Sequence, residues 1–200
     1  MANTTERYRN LFKIASMQGG FFTTKQAISV GYNSNGHPYH VKSGNWIREH
    51  RGIYRLANFP MGDRPDLMLW YLWSRNRKEE PQGIYSHESA LALHELSDVN
   101  PGKLYMTVPV NFRRNTSLPD IVVLHYGDIT VEEVDHMHGV KVTNAMRTII
   151  DVIMEGTLSE DLIKQAIKEA TNQGMVTKKT LKKFSKEYKI LNDLIDKMKV

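Results

Sequence analysis

Glycine and polar turn residues interrupt the chain at short intervals between Gly19 and Leu56, which confines that stretch to brief elements joined by tight turns. Gly19-Gly20 stops whatever precedes it, and Phe21-Phe22 reads as a short strand. Thr23 or Thr24 can cap a helix that runs to about Ser29 and ends at Gly31. Asn33-Ser34-Asn35-Gly36 is a turn. Pro38 suits the first turn of a further helix, where its missing N–H costs nothing, and Gly44 fits the position just beyond that helix. Trp46–Arg48 and Ile53–Leu56 then read as two strands around Arg51-Gly52, a tight turn with a residue that tolerates φ > 0. Strand, helix, turn, helix and hairpin in this order predict a winged helix-turn-helix, a scaffold that can lay one helix in a DNA groove.

Charge is segregated along the chain. Residues 1–60 carry eight Lys and Arg against two acids, a net of +6. Residues 61–174 carry eleven against seventeen, a net of −6, and residues 175–200 carry eight Lys against three acids, a net of +5. A basic head is the electrostatic footprint of a polyanion binder, whereas an acidic middle repels DNA and favours another protein. Apolar residues make up 40% of the chain, enough to fill cores, so disorder is excluded as a general reading. The absence of cysteine excludes disulfides, zinc ribbons and a cysteine nucleophile. MANTTERYRN has no apolar signal core, and no run approaches the roughly 20 apolar residues of a membrane span. The expectation is a cytoplasmic protein with no membrane contact.

The remaining pattern predicts an α+β fold. Thr4 or Thr5 can cap a first helix to about Gln18, with Tyr8, Leu11, Phe12, Ala15 and nearby Ile14 on one stripe. Asn58–Pro65 reads as a linker, dividing a winged helix-turn-helix domain (1–60) from an α+β domain (61–200). A helix over Asp66–Arg75 is apolar nearly all round and should be buried. Ser86 can cap a helix from His87 to Leu96. Strands are predicted at Leu104–Val108, Ile121–Tyr126, Val131–Met137 and Val140–Val142. Helices follow at Asn144–Glu155, capped by Thr143, at Ser159–Asn172, and at Thr177–Tyr188 with a continuation to Lys199. The second domain is thus a small sheet followed by a run of helices.

The third helix carries the specificity argument. If Pro38 and Val41 face the core, then at about 100° per residue Tyr39, His40 and Ser43 point away, with Lys42 on the flank. Asn35 and His37 stand at the helix start, where recognition helices meet bases. Asn, Ser, His and Lys can pair with base edges, and Tyr can reach phosphate or a thymine methyl. Lys25, Arg48, His50, Arg51 and Arg55 are the expected phosphate contacts, with His50 and Arg51 at the wing tip. Near the other end, Lys178, Lys179, Lys182, Lys183, Lys186 and Lys189 lie largely on one side. That face is either simply solvated or opposed to phosphates or an acidic protein, while Leu181, Phe184, Tyr188 and Leu191 form the core-facing stripe.

An ordered set of short segments carries a family resemblance. Gly52-Ile53-Tyr54-Arg55-Leu56 closes the winged helix; Ser86-His87-Glu88-Ser89-Ala90-Leu91-Ala92-Leu93-His94, Thr107-Val108-Pro109, Val142-Thr143 and Arg147-Thr148-Ile149-Ile150-Asp151 follow. Together, over roughly residues 5–155, they resemble the AbiEi antitoxins. The resemblance implies a DNA-binding antitoxin of a type IV toxin–antitoxin pair linked to abortive phage infection. It implies repression of its own operon, at inverted repeats in its own promoter, through the winged helix. It also implies antagonism of a nucleotidyltransferase-like toxin through the C-terminal domain. The competing reading is a stand-alone winged-helix regulator whose second domain senses a ligand or dimerises.

Catalytic patterns are sparse. There is no Walker loop, no GxGxxG and no G-x-S-x-G. Pro119-Asp120 begins like a nuclease pattern, but no acid-x-Lys follows. His136-x-His138, with Asp135 and His125, offers imidazoles to a metal, yet a turn beside Gly139 is the plainer reading. His87 and His94 share a helix face and read as packing or hydrogen-bonding residues. Arg147 and Asp151 are spaced to pair along a helix. The expectation is a regulator with no catalytic residue, no cofactor and no metal, whose partners are double-stranded DNA and a cognate toxin.

Overall fold

Asn3 opens the first helix, in place of the expected Thr4 or Thr5: its Oδ1 accepts from the Glu6 N–H at 2.8 Å, and α1 spans Thr4–Ser16. The computed structural model describes residues 3–198. It divides into two compact units, Met1–Gln82 with His138–Val140, and Gly83–Met137 with Lys141–Val200. The class is α+β, with a winged helix at the N-terminus.

In the first unit, α1 is followed by β1 (Phe21–Thr23), α2 (Thr24–Ser29), a 3-10 turn (Ser34–Gly36), α3 (His37–Lys42), β2 (Trp46–His50), β3 (Ile53–Leu56) and α4 (Pro65–Trp73). Thr23 caps α2 through a capping box with Gln26, which satisfies two otherwise orphaned N–H groups. The three strands form an antiparallel sheet in the order β1-β3-β2. Its core is aromatic: Phe22 meets Trp46 edge-on at 4.9 Å and stacks on Tyr54 at 5.9 Å, with Leu11, Ala15, Ala27 and Leu56 around them. Gly20 has φ +90°, and a Cβ there would stand 2.7 Å from the Phe59 ring, so only glycine fits.

The division falls after Gln82, not at the linker expected near residue 60. The reason is a polar clasp that holds α4 and the loop after it against the winged helix. Glu79 accepts from Thr23 Oγ1 and pairs with Arg75 at 3.1 Å. Arg75 also donates to the Gly52 carbonyl, which accepts the Thr24 N–H as well. The hairpin turn is thereby tied down on two sides.

In the second unit, β4 (Ile84–Tyr85), α5 (His87–Leu93), β5 (Leu104–Val108), β6 (Val122–Tyr126), β7 (Val134–Met137) and β8 (Val140–Thr143) precede four helices. The five strands lie in the order β6-β5-β4-β8-β7, with β4 antiparallel to β5 and parallel to β8, and β5 parallel to β6. Strand β4 is two residues long and carries no sequence signal of its own. The expected strand at Val131 opens as a 3-10 turn, Val131–Glu133, before β7. Asn144 caps α6 (Ala145–Glu155), where Thr143 was expected, because its Oδ1 accepts the Arg147 N–H at 2.9 Å. Then come α7 (Glu160–Asn172), α8 (Lys178–Ser185) and α9 (Lys189–Met198). The last predicted helix is therefore two, and its expected end at Lys199 lies outside the described residues. Leu91, Ile149, Val152, Ile167, Leu181 and Leu191 centre the helical core.

Candidate nucleic-acid interface

Six residues make α3, and its rotational setting decides which side chains are available. Trp46 is 3% exposed and draws the helix onto itself. His37, 2% exposed, stands edge-on to Trp46 at 5.1 Å and to Tyr54 at 5.6 Å. One turn on, His40 stacks on Trp46 at 4.5 Å and is half-buried. Val41 is half-buried beside them. The inward face is thus His37, His40 and Val41, and Pro38 is exposed where it was expected in the core. Burial lowers the pKa of His37, with His40 adding repulsion; burial and then Arg7 lower that of His40. Both rings are therefore held neutral as core aromatics, and His37 is withdrawn from base reading.

Outward from the same helix point Tyr39, 69% exposed, Lys42 and Ser43. Asn35 is exposed in the turn before the helix, with its N–H held by Asn33 Oδ1 at 3.0 Å. Ser43 accepts from Asn45 Nδ2 at 2.8 Å, which orients its hydroxyl at the helix end. Arg48 on β2 and Arg51 in the hairpin turn are exposed. Among the described residues, Lys42, Arg48 and Arg51 enter no ion pair, so their charge is uncompensated.

Three expected phosphate contacts serve other ends. Arg55 is 6% exposed and pairs with Glu49 at 2.7 Å, because its strand position faces the sheet's covered side. Buried and neutralised, it cannot reach a phosphate. His50 packs edge-on against Trp70 of α4 at 5.5 Å, so it faces that helix and does not extend the wing tip. Lys25 is exposed but donates to the Arg77 carbonyl at 2.7 Å and lies 3.7 Å from Glu79.

A second polar cluster lies in the other unit. His87 begins α5, is 7% exposed and has φ +51°. Its ring stacks on that of His125 of β6 at 3.6 Å. Burial, then His125 and Arg147, push its pKa down to about 3, so it is neutral at physiological pH. Glu155, the last residue of α6, lies 3.6 Å from His125 Nε2. Burial and the neighbouring Glu155 raise the pKa of Glu88. Arg147 pairs with Asp151 at 2.7 Å, as its spacing predicts, and also with Glu133 at 3.0 Å. His94 is a structural hydrogen-bonding residue: its Nε2 donates to the Thr143 carbonyl at 2.7 Å. His136 and His138 are exposed in and beside the β7–β8 turn next to Gly139, in line with the plainer reading of that segment as a turn, and His125 is instead grouped with His87 and Glu155.

A helix-turn-helix and a three-stranded antiparallel sheet define the class by fold: a winged helix, with Lys42 exposed on α3, Arg48 on β2 and Arg51 in the hairpin turn. Residues 9–57 match the model of the family described as "Transcriptional regulator, AbiEi antitoxin". That match spans about a quarter of the chain, and over it the chain is similar to the AbiEi antitoxin family of transcriptional regulators. No curated protein matches the chain. Among solved structures, the RV2827C protein from Mycobacterium tuberculosis is 12% identical with a TM-score of 0.43, aligning 84% of this chain and 72% of that one. No helix among the described residues is long and apolar enough to cross a membrane.

Proposed function

We propose that this protein is the antitoxin of a type IV toxin–antitoxin pair, that it represses its own operon through the winged helix, and that its C-terminal part antagonises a nucleotidyltransferase-like toxin in abortive phage infection. The supporting observation is the pairing of an AbiEi family match over residues 9–57 with three exposed cations of the same segment, Lys42 on α3, Arg48 on β2 and Arg51 in the hairpin turn, that enter no ion pair among the described residues. In this reading Tyr39, Ser43 and Asn35 meet base edges, and Lys42, Arg48 and Arg51 hold phosphates. The acidic stretch 61–174 serves the toxin side, since net negative charge disfavours DNA there. The protein acts as a regulator and not as an enzyme, in the cytoplasm.

The test has two arms. A labelled fragment of the native promoter is compared with random duplex of equal length at moderate ionic strength; preferential retardation is expected. Co-expression with the neighbouring reading frame then scores rescue of growth by the full chain and by Lys42→Ala/Arg51→Ala, which should lose repression and keep rescue. Promoter binding without rescue would return the stand-alone regulator reading.

A further inference from the structure

We propose that His87, His125 and Glu155 form a binding site for a divalent transition-metal ion of the zinc class. The three side chains come from the start of α5, from β6 and from the last residue of α6, and their ligand atoms lie within 4.8 Å of one another. Two imidazoles and a carboxylate are a known donor set for such ions, with a fourth position left to water.

The spacing of His125 and Glu155 is the first argument. At 3.6 Å, His125 Nε2 and Glu155 Oε1 are too far apart for a hydrogen bond. Two ligands each about 2.0–2.1 Å from a tetrahedral ion stand roughly 3.3–3.6 Å apart. Both His125 Nε2 and Glu155 Oε2 are also buried without a hydrogen-bond partner. The Nε2 that faces Glu155 and the second oxygen of that carboxylate are thus both orphaned, which is costly in an empty site and relieved by an ion.

The setting of His87 is the second. His87 holds a left-handed backbone, φ +51°, at a buried non-glycine position, a strained conformation that recurs at functional sites. A hydroxyl relay aims the ring: Thr107 Oγ1 donates to Ser86 Oγ at 2.8 Å, and Ser86 Oγ lies 2.9 Å from His87 Nδ1. With Nδ1–H donating to Ser86 Oγ, which also accepts from Thr107, Nε2 carries the lone pair and is left for an ion, as in histidine ligands that donate their other N–H outward. The two rings lie face to face at 16°, so one imidazole must tilt to close on the ion.

Local charge is the third. Glu88 and Glu155 stand beside the rings, whereas the nearby Arg147 is already shared between Asp151 and Glu133. Imidazole donors select Zn²⁺, Co²⁺ and Ni²⁺ over Mg²⁺ and Ca²⁺.

The experiment uses the full chain, stripped with chelator and titrated with Co²⁺, then challenged with Zn²⁺. Expected are one Co²⁺ per chain, visible absorption bands of a four- or five-coordinate ion, and their loss on adding Zn²⁺. His125→Ala and the isosteric Glu155→Gln, both checked for folding by far-ultraviolet circular dichroism, should each weaken binding by roughly 100-fold. His136→Ala/His138→Ala should bind as the wild type does. Binding no tighter than about 1 mM, wild-type affinity in Glu155→Gln, or loss of the ion in His136→Ala/His138→Ala would each overturn the proposal.

Discussion

His37 stands edge-on to Trp46 with ring centroids 5.1 Å apart and planes at 63°. This contact sets the rotation of α3. It turns a histidine that could have read a base into a wedge between helix and sheet. Truncating it removes two aromatic contacts and leaves a void beside Tyr54. We expect His37→Ala to lower the stability of the first unit by about 2–3 kcal/mol. Urea unfolding followed by tryptophan fluorescence measures this, and a loss below the error of the midpoint would show that the contact does not hold the helix.

Acid should act through the same ring. The folded-state pKa of His37 lies below the ordinary value, because burial and His40 both disfavour its charged form, with Arg7 facing His40 from α1. The unfolded chain therefore binds more protons than the folded one in the window beneath about pH 6.5. Stability is complete above that value and falls as the pH drops, by up to about 1.4 kcal/mol per pH unit for one proton. In His37→Phe, which keeps a ring against Trp46, that slope should be shallower between pH 6.5 and 4.5. Equal slopes in the two proteins would assign the acid sensitivity elsewhere.

Lys42 and Arg51 are exposed and enter no ion pair among the described residues. Each alanine substitution should weaken promoter binding and flatten the plot of log K against log salt by about 0.9. Arg55→Ala should instead reduce stability, because it strands Glu49, and should leave the salt slope as it was. A wild-type slope in both Lys42→Ala and Arg51→Ala would remove these two side chains from the interface.

Arg147 is shared by Asp151 and Glu133, and Asp151 is 7% exposed with its pKa raised by burial despite the guanidinium beside it. Removing the arginine leaves a buried carboxyl without compensation. Arg147→Ala is expected to cost about 2–3 kcal/mol, and Arg147→Ala/Asp151→Asn less than the sum of its parts. Strict additivity in the double-mutant cycle would mean the two side chains are energetically independent.

Gly20 has φ +90° and faces the Phe59 ring. Gly20→Ala adds backbone strain to a collision, for a loss of about 2 kcal/mol or more. A melting temperature within a degree of the wild type would show that the Phe59 side chain moves aside freely.

The order of elements in the first unit was legible because glycine, proline and threonine act locally. Thr23 caps α2 and Gly52 turns the hairpin whatever surrounds them. Helical periodicity likewise announced α1, α6 and α7, and the spacing of Arg147 and Asp151 announced their pair. The facing of α3 was not legible: six residues make fewer than two turns, so a stripe through Pro38 and Val41 fits as well as one through His37 and Val41. The Trp46 ring chose between them. Arg55 reads as a surface cation until strand pairing sets it against Glu49. The division after Gln82 depends on Glu79 meeting Thr23 and Arg75, a clasp with no local signature.

Chain-local chemistry by itself determined the α+β class, the winged helix and the basic head, because caps, turns and charge need only near neighbours. Tertiary packing alone decided which cations remain free for a phosphate. It also decided that His87, His125 and Glu155, far apart in sequence, converge. Burial and pairing are properties of surfaces brought together, and no stretch of chain encodes them on its own.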